Sequence, residues 1–164
     1  MLSLDELNAL PETEASARLR ECCGSSGWVT RMVNARPYAN VEALFKAADR
    51  AWEGTKRGDW LEAFAAHPRI GERATSVWSE KEQHEAGRSD AHVRARIAEL
   101  NREYEERFGH IYIVCASGRT GVEILEDLLA RMGNDAEHEL RVAAREQHRI
   151  TRLRLGKLIG VEDP

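Results

Sequence analysis

The apolar residues of this 164-residue chain recur at intervals of three and four, and this spacing constrains the fold more than any other feature. The clearest example begins after Asn40, where one helical face carries Val41, Leu44, Phe45, Ala48 and Trp52. A second stripe in residues 90–107 consists of Val93, Ile97, Leu100 and Tyr104 and is continued by Phe108. Helices with such stripes bury them against one another. The sequence therefore predicts an all-α fold.

Helix caps and breakers divide this pattern into about seven or eight helices. Ser3 with Glu6, and Thr120 with Glu123, have the spacing of a capping box, which satisfies two backbone N–H groups at a helix start. Gly24 is typical of a helix end. Among the predicted helices are residues 11–23, 60–64, 79–86, 90–107 and 135–158. Because no linker, repeat or change of composition interrupts the chain, we expect a single-domain helical bundle over residues 1–164.

One apolar stretch, His110 to Ala116, lacks the helical spacing and is rich in β-branched residues. Such a composition is typical of a strand. No second strand is predicted with which it could pair. We therefore expect a buried extended segment between two helices.

Composition and charge exclude several classes of protein. The chain is 42% hydrophobic and 32% charged, which is typical of folded proteins and not of disordered ones. Its net charge of -4 is spread along the sequence, so the basic face that binds nucleic acid is missing. No apolar run is long enough to cross a bilayer, and the first residues lack the pattern of a secretory signal. The three cysteines do not suggest a disulfide framework, so we expect a cytoplasmic protein with reduced thiols.

His67 is the first candidate for chemistry, because Pro68 follows it directly. Proline disfavours the helical conformation in the residue before it, so the imidazole is expected at a helix boundary. An unperturbed imidazole has a pKa of about 6.5, which suits proton transfer at neutral pH. The alternative is a histidine that only ends a helix. The residues alone favour that structural alternative.

The segment Ser79-Glu80-Lys81-Glu82-Gln83 is the second candidate. Ser79 and Glu82 have capping-box spacing, which accounts for both residues structurally. In the functional alternative, Glu82 orients His67, while Ser79 and Gln83 donate hydrogen bonds to a polar ligand. The backbone N–H groups of that helix start would also favour an anion. Spacing alone favours the cap.

Arg154 is the third candidate, since it lies on a largely apolar face of the last predicted helix, in line with Thr151 one turn before it and Gln147 one turn before Thr151. A buried arginine needs a partner, because an unpaired buried charge is costly. The commoner partner is a structural carboxylate. The alternative is a carboxylate or oxyanion of a substrate, which matches the geometry of a guanidinium.

Other chemistries fit the sequence poorly. The chain has no H-E-x-x-H, paired C-x-x-C or EF-hand motif, so we expect no metal. It also lacks a P-loop, a G-x-G-x-x-G and a G-x-S-x-G motif, which counts against nucleotide, phosphoryl and serine-hydrolase chemistry. Cys115 could act as a nucleophile, but its apolar surroundings favour an inert thiol.

Taken in order, the motifs of this chain resemble those of the 2-oxo-4-hydroxy-4-carboxy-5-ureidoimidazoline (OHCU) decarboxylases over nearly the whole length. The resemblance is strongest at His67-Pro68-Arg69-Ile70-Gly71. The other matching segments are Cys22-Cys23-Gly24-Ser25, Trp28-Val29, Arg36-Pro37, Asp59-Trp60-Leu61-Glu62-Ala63-Phe64, the S-x-x-E-Q of Ser79, Glu82 and Gln83, Arg107-Phe108-Gly109, Glu146, Ile150 and Leu153-Arg154-Leu155. The sequence departs from the F-G-F-P-F motif that is commoner in the family: after Phe108-Gly109 it has His110, Ile111 and Tyr112.

The resemblance implies an all-α, cofactor-free and metal-free enzyme that decarboxylates OHCU to (S)-allantoin and CO2, with a homodimer as the form typical of the family. It implies that His67 is the general acid/base, that Glu82 is its partner and that Arg154 stabilises negative charge. The implied substrate contacts are Pro68, Ser79, Glu80, Lys81, Gln83, Ile111, Tyr112, Ile113, Val114 and Cys115. For His67, Glu82 and Arg154, the resemblance thus favours the functional alternative.

Two rival functions remain open. A non-catalytic helical module that binds ureides would keep Arg154 and its pocket without needing His67 to titrate. A hydrolase acting on 5-hydroxyisourate or allantoin would release no CO2. Product analysis and the activity of His67 variants separate both rivals from a decarboxylase.

Overall fold

The computed structural model of the chain describes residues 1–70 and 87–161, the first four residues of the second range by their backbone alone. Within these ranges the chain forms helices and no strand, so the predicted all-α fold is confirmed. The eight helices are α1 (Leu4–Ala9), α2 (Glu12–Cys22), α3 (Ser26–Asn34), α4 (Val41–Glu53), α5 (Arg57–Ala65), α6 (Gly87–Phe108), α7 (Gly121–Arg131) and α8 (Ala136–Ile159). The helix predicted at residues 79–86 lies outside the described residues.

The local cap signals place the helix starts correctly. The Glu6 N–H donates to Ser3 Oγ over 3.1 Å, and the Ser3 N–H donates to a Glu6 carboxylate oxygen over 2.7 Å, which completes the predicted capping box of α1. Thr120 and Glu123 form the same pair of bonds at the start of α7. Asn40 caps α4 by accepting a backbone N–H over 2.8 Å.

Some helix bounds differ from the prediction. Helix α5 begins three residues before the predicted Trp60, because the Asp59 carboxylate accepts the Lys56 backbone N–H over 2.9 Å and so stabilises an earlier start. Helix α6 begins three residues before the predicted residue 90. Helix α8 is displaced by one residue at both ends.

The chain divides into two compact units, of which the first consists of residues 1–66 and 145–164. In this unit α3 packs against α2, α4 and α5. Its core side chains include Leu7, Leu19, Trp28, Met32, Leu44, Phe45 and Phe64. The Trp28 indole N–H donates to the Ala48 carbonyl over 3.2 Å, which satisfies its polar atom inside the core. Full burial of such a side chain contributes about 1.5–3 kcal/mol.

The second unit consists of residues 67–144, and in it α6 packs against α7. Its core contains Ile97, Leu100, Tyr104, Tyr112, Val114, Ile124 and Leu128. Residues 111–116 belong to neither helix nor strand, and Tyr112, Ile113 and Val114 are buried. The prediction of a buried segment outside any sheet is therefore confirmed for Tyr112 to Val114 within the described part of the chain, whereas His110, Ile111, Cys115 and Ala116 are half-buried.

No helix in residues 1–70 and 87–161 is both long enough and apolar enough to cross a membrane.

Candidate functional site

His67 lies immediately after the end of α5. The helix ends at Ala65, and the Ala66 N–H makes a last-turn bond of 3.3 Å to the Ala63 carbonyl. His67 then lies in a bend and is half-buried, and Pro68 is exposed. Since proline disfavours helical conformation in the preceding residue, the sequence itself ends the helix here. The predicted helix boundary at His67 is confirmed.

Side chains of α6 hold the residues that follow Pro68. The Arg69 guanidinium donates to both carboxylate oxygens of Glu105, with Nε–Oε2 at 2.8 Å and Nη2–Oε1 at 2.9 Å. Asn101 Nδ2 donates to the Ile70 carbonyl over 2.5 Å. The Ile70 side chain is half-buried against the apolar core of the second unit. The guanidinium beside Glu105 holds the pKa of that carboxyl below its usual range.

A cleft of about 550 Å³ lies beside these contacts on the surface of α6. Its lining consists of Arg69, Ile70, Ala98, Asn101, Arg102, Glu105 and Glu106. Among the residues that the structure describes, the lining does not include His67. The cleft therefore adjoins the His67 segment without containing the imidazole.

The predicted substrate-contacting segment from Ile111 to Cys115 is tied to α7. The Ile113 carbonyl accepts a bond of 2.8 Å from Arg131 Nη1. The Tyr112 hydroxyl donates to Asp127 over 2.5 Å, and its ring lies 4.6 Å from the Arg131 guanidinium carbon. Ile111 and Cys115, at the two ends of the segment, are half-buried. These contacts fix the backbone of the segment from its buried side.

Arg131 is held by a carboxylate in the interior of the second unit. Arg131 is only 5% exposed and Glu139 is fully buried, and Arg131 Nε donates to Glu139 Oε1 over 2.7 Å. Glu139 also accepts from the Tyr104 hydroxyl over 2.5 Å and from Asn134 Nδ2 over 2.8 Å. Burial lowers the pKa of Arg131, but the hydrogen bond and charge of Glu139 outweigh it and raise that pKa. Burial, reinforced by Glu139, raises the pKa of Tyr104, so this phenol remains a donor.

The Arg131–Glu139 pair was not predicted from the sequence, although the sequence contains a signal for it. Arg131 follows Leu128 by three residues on the face that α7 buries, which is the same pattern that singled out Arg154. A buried arginine needs a carboxylate partner, and Glu139 lies one turn into the next helix. Spacing could have suggested the pair, but only the hydrogen bond between the two side chains identifies it.

Arg154 lies on α8 within the first unit and is half-buried. Thr151, one turn earlier, and Gln147, two turns earlier, are fully buried, and the Thr151 hydroxyl donates to the Gln147 carbonyl over 3.0 Å. Burial raises the pKa of the Cys22 thiol to about 12, and the positive charge of Arg154 opposes that shift. Burial also raises the pKa of the Cys23 thiol, and the positive charge of Arg154 opposes that shift as well. Arg154 is therefore electrostatically close to the start of the Cys22-Cys23 motif.

The remaining predicted site residues, Ser79, Glu80, Lys81, Glu82 and Gln83, lie outside the described residues. His67 belongs to the second unit and Arg154 to the first. Their roles in chemistry stay predictions. Within residues 1–70 and 87–161, no group of three His, Cys, Asp or Glu side chains is arranged to hold a metal ion.

Comparison with known proteins decides the family. The sequence model of the OHCU decarboxylase family matches residues 8–156, which include residues of both units. The chain belongs to this family. Membership confirms the resemblance drawn from the motifs.

Relatives of this family member include both single-function and bifunctional proteins. The uric acid degradation bifunctional protein of Arabidopsis thaliana is 41% identical over 147 residues, which are 85% of this chain and 45% of that protein. The OHCU decarboxylase of Haloferax volcanii is 28% identical over 98% of both chains. The present chain thus spans less than half of the bifunctional relative.

A solved structure supports the family assignment. The crystal structure of an OHCU decarboxylase in the presence of (S)-allantoin is similar to this chain with a TM-score of 0.71 and 36% sequence identity. The similarity covers 86% of this chain and 96% of the crystallised one.

Proposed function

We propose that this protein decarboxylates OHCU to (S)-allantoin and CO2, a step in the breakdown of urate. The observation that carries the proposal is the family match over residues 8–156. It is supported by the 36% identity to an OHCU decarboxylase whose structure was determined with (S)-allantoin. The half-buried histidine at a proline-bounded helix end is the local feature that suits the reaction.

The chemical problem is to remove CO2 from a carbon atom that then carries developing negative charge. In OHCU the adjacent ring C=N accepts the electron pair of the broken C–C bond, so the reaction requires no external electron sink. In the proposed mechanism, His67 exchanges a proton with the substrate hydroxyl as the bond breaks. The hydroxyl then becomes a ring carbonyl, and a proton delivered from one face to the neighbouring ring carbon, which carries the ureido group, gives one enantiomer of allantoin. An imidazole suits both transfers near neutral pH.

Two charged side chains complete the proposed chemistry. Glu82 orients His67, and Arg154 stabilises the negative charge as it leaves the carboxylate, as a fixed guanidinium does by electrostatic preorganisation. The support for Arg154 is its half-buried position next to the buried polar residues Gln147 and Thr151. A guanidinium in such surroundings interacts more strongly with an anion than one in water.

The proposed substrate contacts are Pro68, the segment from Ser79 to Gln83, and backbone groups of residues 111–115. The support for the last of these is their anchoring from the interior, where Arg131 holds the Ile113 carbonyl. When one side of a backbone segment is already fixed, its other N–H and C=O groups can bind a substrate without first having to reorient. The half-buried ends, Ile111 and Cys115, are the accessible parts of this segment.

We extend the proposal to the whole molecule. Residues 1–164 act as one catalytic domain, which is supported by a family match that includes both compact units. The small molecule OHCU is the partner, without cofactor, nucleic acid or membrane. We place the protein in the cytoplasm, as reduced Cys22 and Cys23 suggest, in the homodimeric form typical of the family.

The test follows freshly generated OHCU by its absorbance, by circular dichroism and by release of CO2. We expect His67→Ala and His67→Gln to lose stereoselective turnover while remaining folded. His92→Gln serves as the matched control, because His92 is an exposed histidine of α6, and we expect it to keep full activity.

Each other outcome has a definite meaning. Folded His67 variants with full stereoselective turnover would refute the catalytic role of the imidazole. Binding of allantoin by the native protein without turnover of OHCU would indicate a ureide-binding module. Consumption of 5-hydroxyisourate or allantoin without CO2 would indicate a hydrolase.

A further inference from the structure

The segment from His67 to Ile70 follows the end of α5 and is the beginning of the second unit. It lies in a bend and a turn outside regular structure. Pro68 has no backbone N–H to donate, so this residue contributes no donor to hold the segment in place. Side chains of α6 contribute to its order.

Two residues of α6 make contacts of this kind. Glu105 accepts both bonds of the Arg69 guanidinium, at 2.8 and 2.9 Å, and such a fork fixes orientation as well as distance. Asn101, which is 6% exposed, donates to the Ile70 carbonyl over 2.5 Å. Because Asn101 and Glu105 are four residues apart, they lie on the same face of α6.

We propose that Glu105 is a positioning residue for His67, acting through Arg69 and together with Asn101 to fix the segment from His67 to Ile70 on α6. This inference rests on the proposed function, in which the imidazole transfers the proton. It assigns Glu105 no contact with the substrate.

The short chain between the anchor and the imidazole makes this role effective. Arg69 is two residues from His67, and an extended chain spans at most about 3.3–3.6 Å per residue. Pro68 removes one of the intervening soft torsions, because its ring locks φ. Few free backbone torsions therefore remain between the two residues, so a displacement of Arg69 also displaces His67. A misplacement of about 1 Å at a reacting group lowers the rate about 100-fold.

A purely structural role makes a different prediction. The Arg69 and Glu105 side chains are 48% and 30% exposed, and ion pairs of this exposure contribute little to stability. If the pair only stabilised the fold, its removal would leave both the melting temperature and kcat nearly unchanged. The effect on kcat therefore separates the two roles.

The variants are Glu105→Ala, Glu105→Gln, the single reversals Arg69→Glu and Glu105→Arg, and the charge-reversed pair Arg69→Glu/Glu105→Arg, all tested in the full chain. The matched controls are Glu99→Ala and Glu99→Gln, because Glu99 forms an exposed ion pair of 2.6 Å with Arg96 on the same helix. We expect Glu105→Ala to lower kcat at least about tenfold with KM changed less than about threefold, and Glu105→Gln to lie between it and the native protein. The charge-reversed pair should exceed either single reversal in kcat, and the Glu99 variants should match the native protein.

A second measurement reports on the imidazole directly. The ring Cε1–Hε1 NMR signal of His67 is assigned by its absence in His67→Gln. We expect this signal to shift in Glu105→Ala and to stay in place in Glu99→Ala. A folded Glu105→Ala with native kcat, or with reduced kcat and an unmoved His67 signal, would overturn the inference.

Failure of the inference remains distinct from failure of the proposed function. If His67→Ala keeps native turnover, the proposed role of His67 is wrong and the inference falls with it. If His67→Ala is inactive while Glu105→Ala keeps native kcat, only the positioning role is wrong.

Discussion

Glu139→Gln removes the negative charge opposite Arg131 in the interior of the second unit while keeping nearly the same side-chain shape. Glu139 is fully buried and Arg131 is 5% exposed, so water cannot replace the lost carboxylate. Breaking a buried ion pair by removing one partner costs about 3–5 kcal/mol. The Asp127 carboxylate remains 3.3 Å from Arg131 Nη1 and still offsets part of the positive charge. We therefore expect the free energy of unfolding to fall by about 3 kcal/mol, at the lower end of this range.

The assay is equilibrium unfolding in urea, with thermal unfolding as a second measure. For a protein of this size, 1 kcal/mol shifts the melting temperature by about 2–4 °C, so we expect a decrease of about 6–12 °C. Glu99→Gln is the control, because it breaks an exposed pair and should cost less than about 1 kcal/mol.

A double variant tests whether the cost comes from the isolated charge. When Arg131→Met is combined with Glu139→Gln, we expect a smaller total loss than the sum of the two single variants, because no charge is then left buried without a partner. A Glu139→Gln loss no larger than that of Glu99→Gln would refute the reasoning about this interior pair.

Three further predictions follow from described contacts. Glu105 should contribute stability that is present above the ordinary carboxyl pKa and is lost as pH falls through its lowered value; a carboxyl NMR titration should show that Arg69→Gln returns the pKa of Glu105 toward its usual range. Because burial raises the pKa of Cys22 to about 12 and also that of Cys23, a thiol reagent at about pH 8 should label both slowly until urea unfolds the chain, and fast labelling of the native protein would contradict this. Arg154→Lys keeps the charge but not the fork, so kcat/KM for OHCU should fall about 10- to 100-fold, and an unchanged kcat/KM would exclude a bidentate contact.

The features that could be predicted from the sequence are those determined by neighbouring residues. Ser3, Asn40 and Thr120 cap helices by accepting from backbone N–H groups three positions away, and Pro68 constrains the residue next to it. Such interactions are complete within one turn of chain. The helix starts at these caps and the position of His67 at a helix boundary are therefore confirmed.

The contacts that hold the predicted site residues were beyond such reasoning. Arg69 and Glu105 are separated by 36 positions, and Tyr104 and Glu139 by 35, so only tertiary packing brings them together. The earlier start of α5 was not predicted, because it depends on the Asp59 carboxylate accepting the Lys56 N–H.

Helix α6 holds two of the segments of the second unit for which we propose substrate contacts. Its Asn101 and Glu105 hold Ile70 and Arg69, directly after His67-Pro68. Its Tyr104 binds Glu139, which in turn holds Arg131 against the carbonyl of Ile113. These three positions of α6 lie within about 6 Å along the helix axis, since each residue rises about 1.5 Å. A rigid helix therefore fixes the separation between the anchors of the two segments, and the loops that carry the polar groups do not have to determine it themselves.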